Sequence, residues 1–139
     1  MKSSENDVPS KQGGARRPRR DPELSFALGL LAIAGRQQDK RHYGQSKVAA
    51  IAAAFHLKED SLYDCVLVAR MWSAAEFREL VTKTGPFGFR LSFSHFVAAA
   101  RWSNSRRGPS SRYEARRAVE MSLELRRSVR QLKKTLNAA

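Results

Sequence analysis

Between Ser46 and Trp72 the chain carries two helical stripes that are out of phase, and the break between them demands a sharp corner between two short helices. Val48, Ile51, Ala52 and Phe55 stand at i, i+3, i+4 and i+7, which predicts one buried helix face. Ser46 is placed to cap that helix, because a serine hydroxyl accepts one of the free N–H groups of the first turn. Ala49, Ala50, Ala53 and Ala54 favour helix and let a neighbour approach closely. His56-Leu57 interrupts the period, with Leu57 placed to plug the corner. Asp60 or Ser61 restarts a helix whose stripe is Leu62, Cys65, Val66, Ala69 and Trp72. Such a pair is a helix-turn-helix at 46–72, whose second helix can lie in a DNA major groove; small helical bundles contain the same pair as plain core.

The flanks are helical as well. Asp21-Pro22-Glu23 is a helix start, with a capping aspartate, proline at the first helical position and an acid in the first turn. The helix runs to about Arg36, with Leu24, Leu28, Leu31, Ala27 and Ala34 expected inward, and Gly35 to Gln45 reads as a polar connection. Arginines before Phe26–Ala34 and the Ala32-Ile33-Ala34-Gly35 sequence after it imitate a secretory signal, but the helix cap between them speaks for a core helix. The apolar run is too short to span a bilayer. Ser73-Ala74-Ala75-Glu76 is a capping box that opens a helix to about Lys83, burying Phe77, Leu80 and Val81. Thr84–Gly88 is a turn cluster, and Ser92 caps a helix through Trp102. From Arg112 to about Leu136, Leu125, Val129, Leu132 and Leu136 repeat at helical spacing, with Ala118 and Met121 extending the face. That segment is one long helix, or two with a break near Ser122 or Ser128. No strand pattern competes, so the expected class is all-α: a small multi-helix bundle over 21–139 with a long basic C-terminal helix.

Charge points to the partner class. The chain has 139 residues and a net charge of +13. Residues 1–20 contribute +4, residues 21–102 only +2, and residues 103–139 +7. A basic surface of this kind attracts polyanions, nucleic acid first. Residues 1–20 have almost no large apolar side chain and read as a disordered basic arm, ending in Arg16, Arg17, Arg19 and Arg20. Arms of this type enter minor grooves or track phosphates.

No catalytic constellation is present. His42, His56 and His95 have no second ligand at a metal-binding spacing, and no glycine-rich loop resembles a phosphate cradle. Cys65 is the only cysteine, so no intrachain disulfide can form, which fits a reducing compartment. The expectation is a non-enzyme with no cofactor and no metal.

Leu91-Ser92-Phe93-Ser94-His95 and Ser128-Val129-Arg130-Gln131-Leu132, following the 48–72 pair and the 73–83 helix, give an order of elements from about Gln45 to Leu136. This order resembles the DNA-binding domain of ParB-type partition proteins, which has a helix-turn-helix, a helix, a Leu-Ser-x-x-His segment and a later Ser-Val-Arg-x-Leu segment. Helical domains of some nuclease-like bacterial proteins carry a similar Leu-Ser-x-x-His pattern. The family's amino-terminal nucleotide-binding domain has no counterpart here, so the resemblance implies no nucleotide-driven clamp. Where the family usually has a glycine before Ser-Val-Arg, this chain has Glu124-Leu125-Arg126-Arg127.

The leading expectation is a cytoplasmic, nucleoid- or plasmid-associated protein that binds double-stranded DNA, with no membrane partner. Lys58, Ser61 and Tyr63 would reach bases; Lys47, Arg70, Arg106, Arg107, Arg112 and Arg116 would hold phosphates, together with the arm. Glu59, Asp60 and Asp64 would face phosphates in a groove, which leaves open a core role for the pair, with binding done by the arm and the C-terminal basic face. Two alternatives stand beside it. One is an assembly subunit or homo-oligomer that docks through the Leu125–Leu136 stripe, and the other is an RNA-binding protein of the basic-arm type.

Overall fold

A computed structural model describes residues 21–41, 47–106 and 109–138. The expected arm, Ser46, His42 and Arg107 lie outside the described residues. Among those described the chain is all-helical: α1 (Pro22–Arg41), α2 (Lys47–Ala54), α3 (Glu59–Met71), α4 (Ala74–Thr82), α5 (Phe93–Arg106), α6 (Pro109–Leu125) and α7 (Val129–Ala138), with a short 3₁₀ turn at Pro86–Gly88. α3 is the hub and packs on α1, α2 and α5, while α5 also carries α6 and α7. One core, built on Phe26, Trp72, Phe77, Phe96, Val119 and Leu132, joins α1 to α3 through α7. A second, built on Leu28, Ala32, Val48, Leu62, Cys65 and Val66, fixes α1, α2 and α3 together.

α1 turns a different face inward from the leucine stripe. Leu28 and Ala32 are buried, but Leu24 and Leu31 are 44% and 48% exposed, and Ala27 and Ala34 are exposed too. The reason is close approach. A Cβ on Gly29 would stand 2.2 Å from the Cys65 carbonyl oxygen, so the backbones of α1 and α3 meet where side chains are smallest. Phe26 follows from the same rotation and stacks on Phe77 with ring centroids 4.5 Å apart. α1 also extends to Arg41, through much of the expected connection.

The corner after α2 is a Schellman motif. Leu57 N–H donates to the Ala52 carbonyl at 2.8 Å and His56 N–H to the Ala53 carbonyl at 3.2 Å. His56 takes the left-handed position with φ 56°. Leu57 packs into the second core as expected. Phe55 does not: α2 ends at Ala54, the helical phase is lost, and the ring is 42% exposed.

Of the two readings of the C-terminal segment, the structure has the second, two helices with a break next to Ser128. Arg127 N–H donates to the Ser122 carbonyl at 3.0 Å and Arg126 adopts φ 52°, so α6 ends in the same kind of motif as α2. Ser128 and Gln131 then cap α7 reciprocally, Ser128 N–H to Gln131 Oε1 at 2.8 Å and Gln131 N–H to Ser128 Oγ at 3.2 Å. The break divides the stripe. Leu132 and Leu136 are buried in this chain's own core, and Leu125 is left 52% exposed.

α4 follows its sequence signature. Ser73 N–H donates to Glu76 Oε1 at 2.9 Å and Glu76 N–H to Ser73 Oγ at 3.1 Å. Phe77 and Val81 are buried and Leu80 is partly so.

Candidate nucleic-acid interface

The amino end of α3 is where a groove-bound helix would present side chains. Lys58 occupies its N-cap position without a side-chain cap, and Lys58 and Ser61 are both exposed. Ser61 opens onto a hollow of about 400 Å³ shared with Ser94, Arg101 and Lys133. Of the three acids here, Asp64 is engaged. Arg101 from α5 donates to it through both Nε (2.8 Å) and Nη2 (2.7 Å), a bidentate pair. These hydrogen bonds, the Asp64 charge and then the Asp60 charge raise the Arg101 guanidinium above its ordinary value. The acidic helix start thus carries its own counter-charge, and Glu59 and Asp60 occupy the first turn that the helix dipole favours for acids.

Tyr63 is only partly exposed. It packs against the α1–α2–α3 core, and the Arg36 guanidinium lies 5.1 Å over its ring. Its position one helical turn before Leu67 turns it toward the body of the protein instead of away from it.

Of the residues expected to hold phosphates, Arg70 and Arg112 meet at the carboxyl end of α3. Arg70 is exposed on its last turn, and its carbonyl accepts a hydrogen bond from Arg112 at the start of α6. This cation at a helix C-terminus is stabilising, and Arg112 itself remains exposed. Arg106 is exposed at the end of α5, its guanidinium 4.7 Å over the Trp102 ring. Lys47 is exposed at the start of α2.

Arg116 is committed elsewhere. It is only partly exposed and pairs with Glu76 of the α4 capping box. The Ser73 backbone N–H, then the Ser73 side chain and Arg116, hold the Glu76 carboxyl below its ordinary value against an opposing desolvation. Arg117, one residue on, is the exposed counterpart, and among the described residues it makes no ion pair. On α7, Arg130, Lys133 and Lys134 are exposed as well. Arg16, Arg17, Arg19, Arg20 and Arg107 lie outside the described residues.

The acids have their own place. Glu76, Glu79, Glu120 and Glu124 line a hollow of about 510 Å³ between α4 and α6, together with Lys83 and with Arg116, which pairs with Glu76.

The two short motifs that carry the family resemblance meet in space. His95 is buried; its Nδ1 accepts from the Ser92 N–H at 3.0 Å, and its Nε2 lies 2.8 Å from the Arg127 carbonyl oxygen. An acceptor at Nδ1 and a donor at Nε2 define the neutral Nε2–H tautomer. The histidine of Leu-Ser-x-x-His therefore staples the start of α5 to the break that opens α7. Compared with protein-family models, with curated proteins and with solved structures, the chain finds no match. The partition-protein resemblance accordingly rests on these segments alone.

Sequence reasoning missed Arg101, Arg36 and Arg117. Arg101 and Asp64 are 37 positions apart, and nothing in either neighbourhood announces the pair. Among the described residues no group of three or more His, Cys, Asp or Glu could hold a metal ion, and no helix is long and apolar enough to cross a membrane.

Proposed function

We propose that this chain is a non-enzymatic protein that binds double-stranded DNA, related in design to the DNA-binding part of ParB-type partition proteins and acting on a nucleoid or plasmid. The observation that carries the reading is the separation, among the described residues, of arginines held in ion pairs from exposed arginines that make none. Arg78, Arg101 and Arg116 are tied to Glu23, Asp64 and Glu76 and hold helices together. Arg70 at the end of α3, Arg106 at the end of α5, and Arg112 and Arg117 on α6 stay exposed. Guanidinium groups presented this way suit phosphate oxygens. Base reading falls to Lys58 and Ser61 on the amino turn of α3, a narrower set than the sequence suggested.

The assembly alternative has less to work with, because α7 buries the stripe it would have used. Gel shifts on duplex DNA, single strands and structured RNA, with competitor and at two salt concentrations, test the proposal. Duplex is expected to bind best. With Arg70, Arg106, Arg112 and Arg117 as phosphate contacts, the log–log slope against salt should be about −3 to −4. Preference for structured RNA, or binding to none of the three, would overturn it.

A further inference from the structure

The turn Pro86–Gly88 holds a phenylalanine where folding favours another residue. Phe87 has φ 59° and ψ 28°, a left-handed conformation that is an outlier for a bulky side chain. Its side chain is 91% exposed, so the ring contributes little to the core. Glycine would relieve the backbone at this position. The turn is nonetheless firmly built. Gly85 N–H donates to the Phe89 carbonyl at 2.8 Å, Gly88 N–H to the Gly85 carbonyl at 3.2 Å, and Phe89 N–H to the Pro86 carbonyl at 3.2 Å. Gly85 sits so close to α6 that a Cβ there would come 2.4 Å from the Leu123 carbonyl oxygen. The ring is therefore held outward on a clamped base.

A second left-handed residue meets it. Arg126, in the break between α6 and α7, places its guanidinium carbon 4.5 Å from the Phe87 ring centroid. A cation on one face of an aromatic ring is an attractive contact, and at this exposure most of the ring remains open. The same break leads into the exposed cations of α7, Arg130, Lys133 and Lys134.

We infer that Phe87 is a wedge for a base step of bound duplex, with Arg126 as its cationic backing. The inference rests on the duplex-binding reading above and adds a contact to it. An aromatic ring stacks on any base, since every base has a π-face. An apolar side chain pushed into a base step unstacks it and kinks the duplex. A lipid surface fits less well, because membrane affinity scales with buried apolar area and this tip offers one ring between Thr84 and Arg90, both exposed.

The test uses the full chain and a series of short duplexes with 2-aminopurine walked along one strand and a fluorophore pair on the ends. Parent, Phe87→Ala and Phe87→Tyr are compared, with melting curves to verify the fold. The parent should raise 2-aminopurine fluorescence at one or a few positions and shorten the end-to-end distance. Phe87→Tyr should keep both signals. Phe87→Ala should lose both, and its affinity should fall by about five- to 150-fold, the range reported by alanine substitution of a stacking aromatic. Parent binding without a 2-aminopurine rise overturns the wedge, as does Phe87→Ala behaving like the parent on DNA. So does a Phe87→Ala defect seen only on anionic phosphatidylserine vesicles. In each of these cases duplex binding by the parent leaves the reading above intact. No duplex binding by the parent removes both.

Discussion

Gly29→Ala is the substitution whose outcome depends most on the packing described here. A methyl at this position would stand 2.2 Å from the Cys65 carbonyl oxygen, 2.7 Å from its carbonyl carbon and 3.0 Å from the Ala69 Cβ. To restore ordinary contacts near 3.5 Å, α1 must retreat from α3 by roughly 1 Å. Over-filling a packed site costs about 1–3 kcal/mol, and here the obstacle is backbone, which cannot rotate away, so the upper half of that range applies. The change from glycine to alanine inside a helix offsets about 1 kcal/mol of it. The expected net loss is about 1–2 kcal/mol, or about 4–10 °C in melting temperature for a domain of this size. Leu31→Ala supplies the contrast. Leu31 is 48% exposed, so only about half of the 1.5–3 kcal/mol of a fully buried leucine is at stake, and the expected loss is about 0.8–1.5 kcal/mol. Thermal and urea unfolding followed by circular dichroism measure both. If Gly29→Ala matches or exceeds the parent while Leu31→Ala loses 2 kcal/mol or more, on the scale of a buried leucine, α1 faces the other way and the packing argument fails.

Leu57→Ala should cost about 1–3 kcal/mol, below the full range for a buried leucine because the side chain is only partly buried, and Phe55→Ala under about 1 kcal/mol; equal losses in urea melts would restore Phe55 to the core. His95→Leu should cost about 2–4 kcal/mol, because the Ser92 N–H and the Arg127 carbonyl lose their partner together; amide exchange at Ser92 should quicken, and unchanged protection would count against the staple. Glu76 has a folded-state value below its ordinary one, so its contribution is full above the ordinary carboxylate range and is lost as pH falls through the lowered folded value. Parent and Glu76→Gln stabilities should therefore converge on acidification below about pH 4; a gap that stays constant to pH 2 would show that the Arg116 and Ser73 contacts do not act through the carboxylate charge.

Local chemistry was legible in the sequence, and contacts between distant segments were not. The α4 capping box needs only Ser73 and Glu76, three positions apart, and it forms as written. The corner at His56-Leu57 was visible as a loss of period, and Leu57 plugs it. The face of α1 was misread because counting leucines ignores the advantage of glycine at a helix crossing, and Gly29 can be recognised only once Cys65 is opposite it. The sequence allows a break near Ser128 without deciding for it, because α6 stops on an arginine in the left-handed position, where glycine would be the visible signal. In the candidate site, Lys58, Ser61, Arg70 and Arg112 are exposed. Tyr63 and Arg116 differ because Arg36 and Glu76, 27 and 40 positions away in the chain, claim them.

The central claim is that duplex DNA is held by the exposed arginines at the ends of α3 and α5 and on α6, and the salt dependence of affinity tests it most directly. Duplex affinity should be measured from low to moderate salt for the parent and for a variant with Arg70, Arg106, Arg112 and Arg117 all changed to Gln. Each lost phosphate contact makes the log–log slope shallower by about 0.9, so the variant should bind more weakly at every salt, with a slope shallower by about 3 to 4. A variant whose slope equals the parent's would contradict the account, because the phosphates would then be held by other residues.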